Sequence, residues 1–172
     1  MRFGGRGPDI GLCDILLHMQ VTLAHIGNRT GARDAYEQAV LGYLERCQGF
    51  MRCETEAFRS EKAMFDWLTK LRGRTEPAVM LLDGRGRQMT SEALAAWLGK
   101  RRDEGAQHLV FAVGPADGWS DEARAEVERR GGLLSLGPMT LAHSLARLVM
   151  AEQLYRACTI LTGHPYHRGS GR

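Results

Sequence analysis

Four cysteines in 172 residues, at positions 13, 47, 53 and 158, are too few and too scattered for a disulfide framework, and none forms a CxxC pair. They fit reduced, partly buried thiols in a cytosolic protein. No segment is apolar for long enough to span a bilayer. The first residues fail as a signal peptide, because Asp9 and Asp14 interrupt an apolar run that is already short. No GxGxxG fingerprint is present, so a dinucleotide cofactor has no support. His164 and His167 have metal-ligand spacing but lack a third ligand, so no metal is expected. Charge is almost balanced: 23 Lys and Arg against 20 Asp and Glu leave +3, a mild bias toward an anionic partner.

What the chain does have is regular alternation. At 44% hydrophobic and 25% charged residues it is an ordinary globular composition, enough for one domain with a substantial core. Residues 1–18 stand apart. Positions 1–8 are rich in Gly and Arg, and 10–18 allow two helical turns. They read as an upstream extension or a mis-assigned start before Met19, with a basic arm through Arg2 and Arg6 as the functional alternative. From there the periodicity predicts strands at 20–26, 51–58, 78–82, 108–113 and 133–136. Helices are predicted at 32–47, 61–71, 91–102, 121–130 and 143–161. Thr90 and Ser120 are placed as N-caps, Gly163 as a stop with Pro165 beyond it, and 83–87 (D-G-R-G-R) as a loop. Such alternation argues an α/β fold, a parallel sheet flanked by helices on both faces, with its ligand beyond the carboxyl ends of the strands. Three loops meet that description, after Leu82, after Val113 and after Leu136. Taken singly, each glycine in them can be a mere turn residue.

The C-terminal stretch is the most distinctive. Its helix has apolar residues at 145, 148, 149, 154, 158 and 161. The helix and its tail also gather His143, Arg147, Glu152, Tyr155, Arg156, His164, Tyr166, His167 and Arg168 where a chain normally frays. Glu152 and Arg156 are spaced for an intrahelical ion pair. Arg147 is open between a core or dimer ion pair and a phosphate contact, and His143 between a structural hydrogen bond and chemistry.

Thr140-Leu141-x-His143, Leu145-x-Arg147, the run Glu152-Gln153-Leu154-Tyr155-Arg156-Ala157 and the terminal His164-Pro165-Tyr166-His167-Arg168 together resemble the RlmH family. These are SPOUT-class methyltransferases of bacterial large-subunit ribosomal RNA. The resemblance extends more weakly from Met19 to the end and includes Y-L-E-R at 43–46. It implies a SPOUT-type sheet with a C-terminal trefoil knot and a cytoplasmic homodimer in which one subunit's tail reaches the other's pocket. It implies S-adenosyl-L-methionine as cofactor, held at positions matching Leu82, Gly114, Leu136, Gly137, Pro138, Met139, Thr140 and Leu141. The substrate implied is N3 of a pseudouridine, the position-1915 site of 23S ribosomal RNA in the assembled ribosome. Arg168 would stabilise charge on the base, with His143 and Tyr166 handling the proton or stacking. Of the apolar loop residues, Leu136, Met139 and Leu141 would wall the cofactor. Two departures stand out: Gly114-Pro115 where the family has Gly-Gly, and the near absence of a basic excursion between the second strand and second helix. The first motivates an alternative, a non-enzymatic ribosome-binding relative with a weakened cofactor site.

Overall fold

The computed structural model describes residues 19–71 and 75–170, with side chains through His167. The expectations for residues 1–18 and for Cys13 lie outside the described residues. Five strands, β1 (Gln20–Ile26), β2 (Arg52–Phe58), β3 (Ala78–Gln88), β4 (His108–Val113) and β5 (Gly132–Ser135), alternate with helices. The helices are α1 (Ala35–Cys47), α2 (Glu61–Lys70), α3 (Ser91–Asp103), α4 (Asp121–Val127) and α5 (His143–Leu161), and a 3-10 turn (Pro165–Ser170) follows. All strand pairs are parallel, in the order β2-β1-β4-β3-β5.

The central strands are apolar because both their faces are covered. Val21, Leu23, Met80, Leu109 and Phe111 pack with α1, α3 and α5 through Val40, Leu98, Met150 and Leu154. The alternate residues Ala24, Val79, Leu81, Val110 and Ala112 pack with α2 and α4 through Met64, Leu68 and Val127. Burying each large apolar side chain contributes about 1.5–3 kcal/mol. Cys47, Cys53 and Cys158 are free thiols within the first of these layers.

Four helices begin at side-chain caps. Asp34, Ser60, Thr90 and Ser120 each accept from the amide three residues on, at 2.9, 3.2, 3.1 and 3.1 Å, each cap contributing about 1 kcal/mol. Asp34 is why α1 starts at Ala35 rather than at 32. Helix α4 ends at Val127, short of 130, because the amides of Arg130 and Gly131 turn back to the Val127 carbonyl. Helix α5 alone begins without a side-chain cap, at Ala142. It ends as predicted at Gly163 (φ +70°), with the His164 amide bonded to the Thr159 carbonyl at 2.9 Å.

One element departs from the sequence reading. The stretch 83–87 is not a loop. Strand β3 runs on to Gln88, and Leu134 of β5 is the register partner of both Leu82 and Arg87. The chain crosses β5 at Gly86, where a Cβ would meet the backbone of Leu133 and Leu134 at 2.6–2.7 Å. Only a residue without a side chain fits there. Of the apolar positions of helix α5, Leu154 and Cys158 are buried. Ala146, Arg147, Met150 and Ala151 are buried, while the apolar Leu145, Leu148 and Val149 are half-buried.

Candidate active site

The middle of β3, from Leu82 to Gly84, and the carboxyl ends of β4 and β5 open into one cleft of about 550 Å³. All eight positions expected to hold a cofactor line it: Leu82, Gly114, Leu136, Gly137, Pro138, Met139, Thr140 and Leu141. His143 and Ala146, from the uncapped start of α5, complete the wall. The β3 stretch after Leu82 and the loops after Val113 and Leu136 therefore converge at one edge of the sheet.

Trp119 sets the floor. Its indole is buried, its Nε1–H donates to the Leu82 carbonyl at 3.0 Å, and a Cβ at Gly114 would meet its ring at 2.8 Å. Gly114 is thus required by packing as well as by any ligand. Beneath this part of β3 Arg124 Nε donates to Asp83 at 2.8 Å and its Nη1 to Asp121 at 2.8 Å. Burial would raise the Asp83 carboxyl, but the Arg85 amide and the Arg124 guanidinium prevail and hold it below the usual carboxylate range. The third loop turns at Gly137 (φ +127°), whose amide donates to Ser135 Oγ at 3.2 Å. Leu136 and Leu141 are half-buried walls, whereas Met139 stands at the rim, 79% exposed.

His143 packs edge-on against His25, with ring centroids 5.5 Å apart. Behind both lies Arg147, 2% exposed, its Nη1 2.8 Å from Glu37 and its two terminal nitrogens donating to Thr30 and Thr55 at 3.3 Å. Of the two readings left open for Arg147, the described residues give it the buried ion pair. Burial, and then the neighbouring Arg147 charge, depress both histidines, His25 to about 4. His143 Nε2 and His25 Nδ1 are buried without a hydrogen-bond partner among the described residues.

A histidine whose folded pKa lies below its unfolded one is neutral in the fold and costs stability once the unfolded chain takes up protons. That cost is absent well above pH 6.5 and grows as pH falls toward 4. Between pH 7 and pH 5, His25 should therefore lower unfolding free energy by about 2 kcal/mol. His25→Phe should remove that part of the pH dependence in urea unfolding; an unaltered slope would refute the assignment.

The tail residues lie elsewhere. Tyr166 donates to Glu152 Oε1 at 3.0 Å, and Arg156 Nη2 bonds the same oxygen at 2.6 Å, so the expected Glu152–Arg156 pair is present. Glu152 stands on the order of 13 Å along α5 from His143 by helix rise. Burial, then Glu152, push the Tyr166 phenol up to about 12. His167 Nε2 sits 3.0 Å from Glu92, and His164 packs against Phe50. Arg168 falls in the 3-10 turn, its side chain outside the described residues. One chain thus brings His143 to the cleft but not Tyr166. The sequence reading missed Trp119, whose only signal is a lone indole between a glycine loop and a helix cap. It also missed His25, a polar residue in an otherwise apolar strand end.

A family model described as "Predicted SPOUT methyltransferase" matches residues 19–167. The chain belongs to the SPOUT methyltransferase family. Within this family it is 49% identical over 127 residues to the ribosomal RNA large subunit methyltransferase H of Koribacter versatilis (strain Ellin345), covering 74% of this chain and 84% of that one. It is 42% identical over 139 residues to the protein of the same name from Pelobacter propionicus, covering 76% and 89%. The resemblance to RlmH stands on both. Among solved structures, the SpoU methyltransferase AviRb from Streptomyces viridochromogenes, in complex with AdoMet, superposes with a TM-score of 0.46 at 12% identity, over 97% of this SPOUT chain and 64% of that one.

Proposed function

We propose that this chain is an S-adenosyl-L-methionine-dependent methyltransferase that modifies N3 of a pseudouridine in 23S ribosomal RNA of the assembled ribosome, as a cytoplasmic homodimer. The observation that carries the reading is the convergence of the β3 stretch after Leu82 and the loops after β4 and β5 on one cleft in a member of a methyltransferase family. The residues present fit the cofactor. Gly114 lies flush on Trp119 with no side chain in the way, Gly137 turns the loop, Leu136 and Leu141 offer apolar surface, and the start of α5 has no capping side chain competing for its amides. Pro115 lines the same cleft and its carbonyl accepts the Gly118 amide at 2.9 Å, so its missing N–H leaves the turn intact.

When bound, the cofactor supplies an electrophilic methyl group on a sulfonium. The chain's own task is to position the base and to manage the N3 proton and the charge its loss leaves on the flanking carbonyls. Arg168 is assigned to that charge through its fork of donors. The unpartnered Nε2 of His143 supports a role as acceptor. Tyr166, with its phenol raised to about 12, serves as a donor or stacking surface rather than a base. The crossing of β5 at Gly86 supports the trefoil path. The half-buried apolar stripe of Leu145, Leu148 and Val149, together with exposed Met139, supports a second subunit at this side. No helix among the described residues is long and apolar enough to cross a membrane.

Calorimetry should detect S-adenosyl-L-methionine binding, and the protein should transfer labelled methyl to ribosomes from a strain lacking this modification. Arg168→Ala should lower turnover by about tenfold or more. Ribosome binding without cofactor binding would favour the non-enzymatic alternative, and unchanged turnover in Arg168→Ala would displace the tail from the chemistry.

A further inference from the structure

We propose that Glu152 is a positioning residue for this reaction: through the Tyr166 hydroxyl it fixes the terminal turn that carries Arg168. The inference rests on the methyltransferase reading above. It begins from an oddity of the bonding. An ion pair between Glu152 and Arg156 would need only the two side chains, and on an exposed helix it would contribute little. Here the carboxylate is 19% exposed and Oε1 takes three donors: Arg156 Nε at 3.0 Å, Arg156 Nη2 at 2.6 Å and the Tyr166 hydroxyl at 3.0 Å. Oε2 accepts from Gln153 at 2.7 Å, and Gln153 in turn accepts from Ser91 at 2.6 Å at the start of α3. Both oxygens of the carboxylate are thereby engaged, which fixes its orientation.

The Tyr166 ring is held in the same way. Arg156 lies over its face at 4.9 Å and Tyr155 meets it edge-on at 4.8 Å. The phenol stays protonated, so it remains a donor to Glu152 at any working pH. One residue later His167 reaches Glu92 at 3.0 Å, a second tie from the turn to α3. Six residues beyond a helix stop would ordinarily fray. These are tied down at two consecutive positions, on the same stripe of α5 as the half-buried Leu148 and Val149. A turn clamped at 166 and 167 has little freedom left at 168. Misplacing a reacting contact by about an ångström is enough to cost orders of magnitude in rate. The carboxylate itself sits along α5 from the cleft, so its effect reaches the substrate only through the turn.

The test uses the full-length protein and four variants, Glu152→Ala, Glu152→Gln, Tyr166→Phe and the Glu152→Ala/Tyr166→Phe double. Methyl transfer to ribosomes is read as kcat and KM, S-adenosyl-L-methionine affinity by calorimetry, and amide exchange across residues 164–170 by mass spectrometry. Glu152→Ala and Tyr166→Phe should each lower kcat by about tenfold, leave cofactor affinity within about twofold, and speed exchange in the tail. The double should be no worse than either single, because both break one contact. Glu152→Gln, which keeps an acceptor for the phenol, should recover most of kcat. Should Glu152→Ala fail to fold, Tyr166→Phe removes a single oxygen, and its tail exchange decides: a kcat loss with unchanged exchange would mean direct contact with the base and overturn the anchor. Fast tail exchange with unchanged kcat would overturn the proposal, as would multiplicative losses in the double. Wild-type protein with a protected tail and no methyl transfer would instead count against the enzymatic reading on which the proposal rests, while leaving the anchor itself measured.

Discussion

Arg147→Met should destabilise the fold by about 3–5 kcal/mol, read as a drop in the urea midpoint with an unchanged m-value. The guanidinium is 2% exposed and Glu37 8% exposed, and the two meet at 2.8 Å between α5 and α1. Taking one partner away strands a carboxylate out of water, and it leaves the Thr30 and Thr55 hydroxyls without their donor. The pair itself is not the source of the stability. Two charges buried together recover little more than their desolvation cost, so Arg147→Met combined with Glu37→Leu should regain most of the loss. A double variant no better than the single would show that the arginine matters through its threonine bonds. Removing the cation also takes away the charge that depresses His25 and His143, so both histidines should titrate higher in the single variant than in wild type.

Gly86→Ala should be nearly as severe, about 3 kcal/mol or more, and should lower the yield of folded protein. The added carbon would lie 2.6–2.7 Å from three backbone atoms of Leu133 and Leu134. Side chains can swing away from such an approach; a paired strand cannot. Gly84 is the internal control. It lies two residues earlier in the same crossing, has open space where its Cβ would go and does not need a positive φ. Gly84→Ala should therefore change stability by less than about 1 kcal/mol. Equal losses at both positions would mean that the strand, rather than the crossing, is sensitive to alanine.

The contrast between these two glycines also marks the limit of what the sequence disclosed. D-G-R-G-R reads as a loop because nothing local distinguishes a glycine that turns the chain from one that lets two strands cross. The cost of a side chain at 86 is set by residues 133 and 134, far along the chain. The loops after Val113 and Leu136 were legible because parallel strands announce themselves as apolar runs and their ligand edge follows from direction alone. Trp119 and His25 were not, since a lone indole or imidazole acquires meaning only from the carbonyl, ring or charge it meets. Helical period gives a face but not which neighbour covers it: Ala146, Arg147 and Met150 are buried, while Leu145, Leu148 and Val149 are half-buried. The tail motif was visible in sequence as a cluster of polar residues, while its attachment to Glu152 and Glu92 required the fold.

The crossing has a consequence for how these molecules behave in a crowd. The outermost strand at one end, β5, has Leu134 matched with both Leu82 and Arg87, so it offers little bare ribbon for a foreign chain to zip onto. The opposite border, β2, is open but carries Arg52, Glu54 and Glu56, whose charges repel a copy laid against them in parallel register. Both ends of the sheet are thereby poor templates for filament growth, one by enclosure and the other by charge.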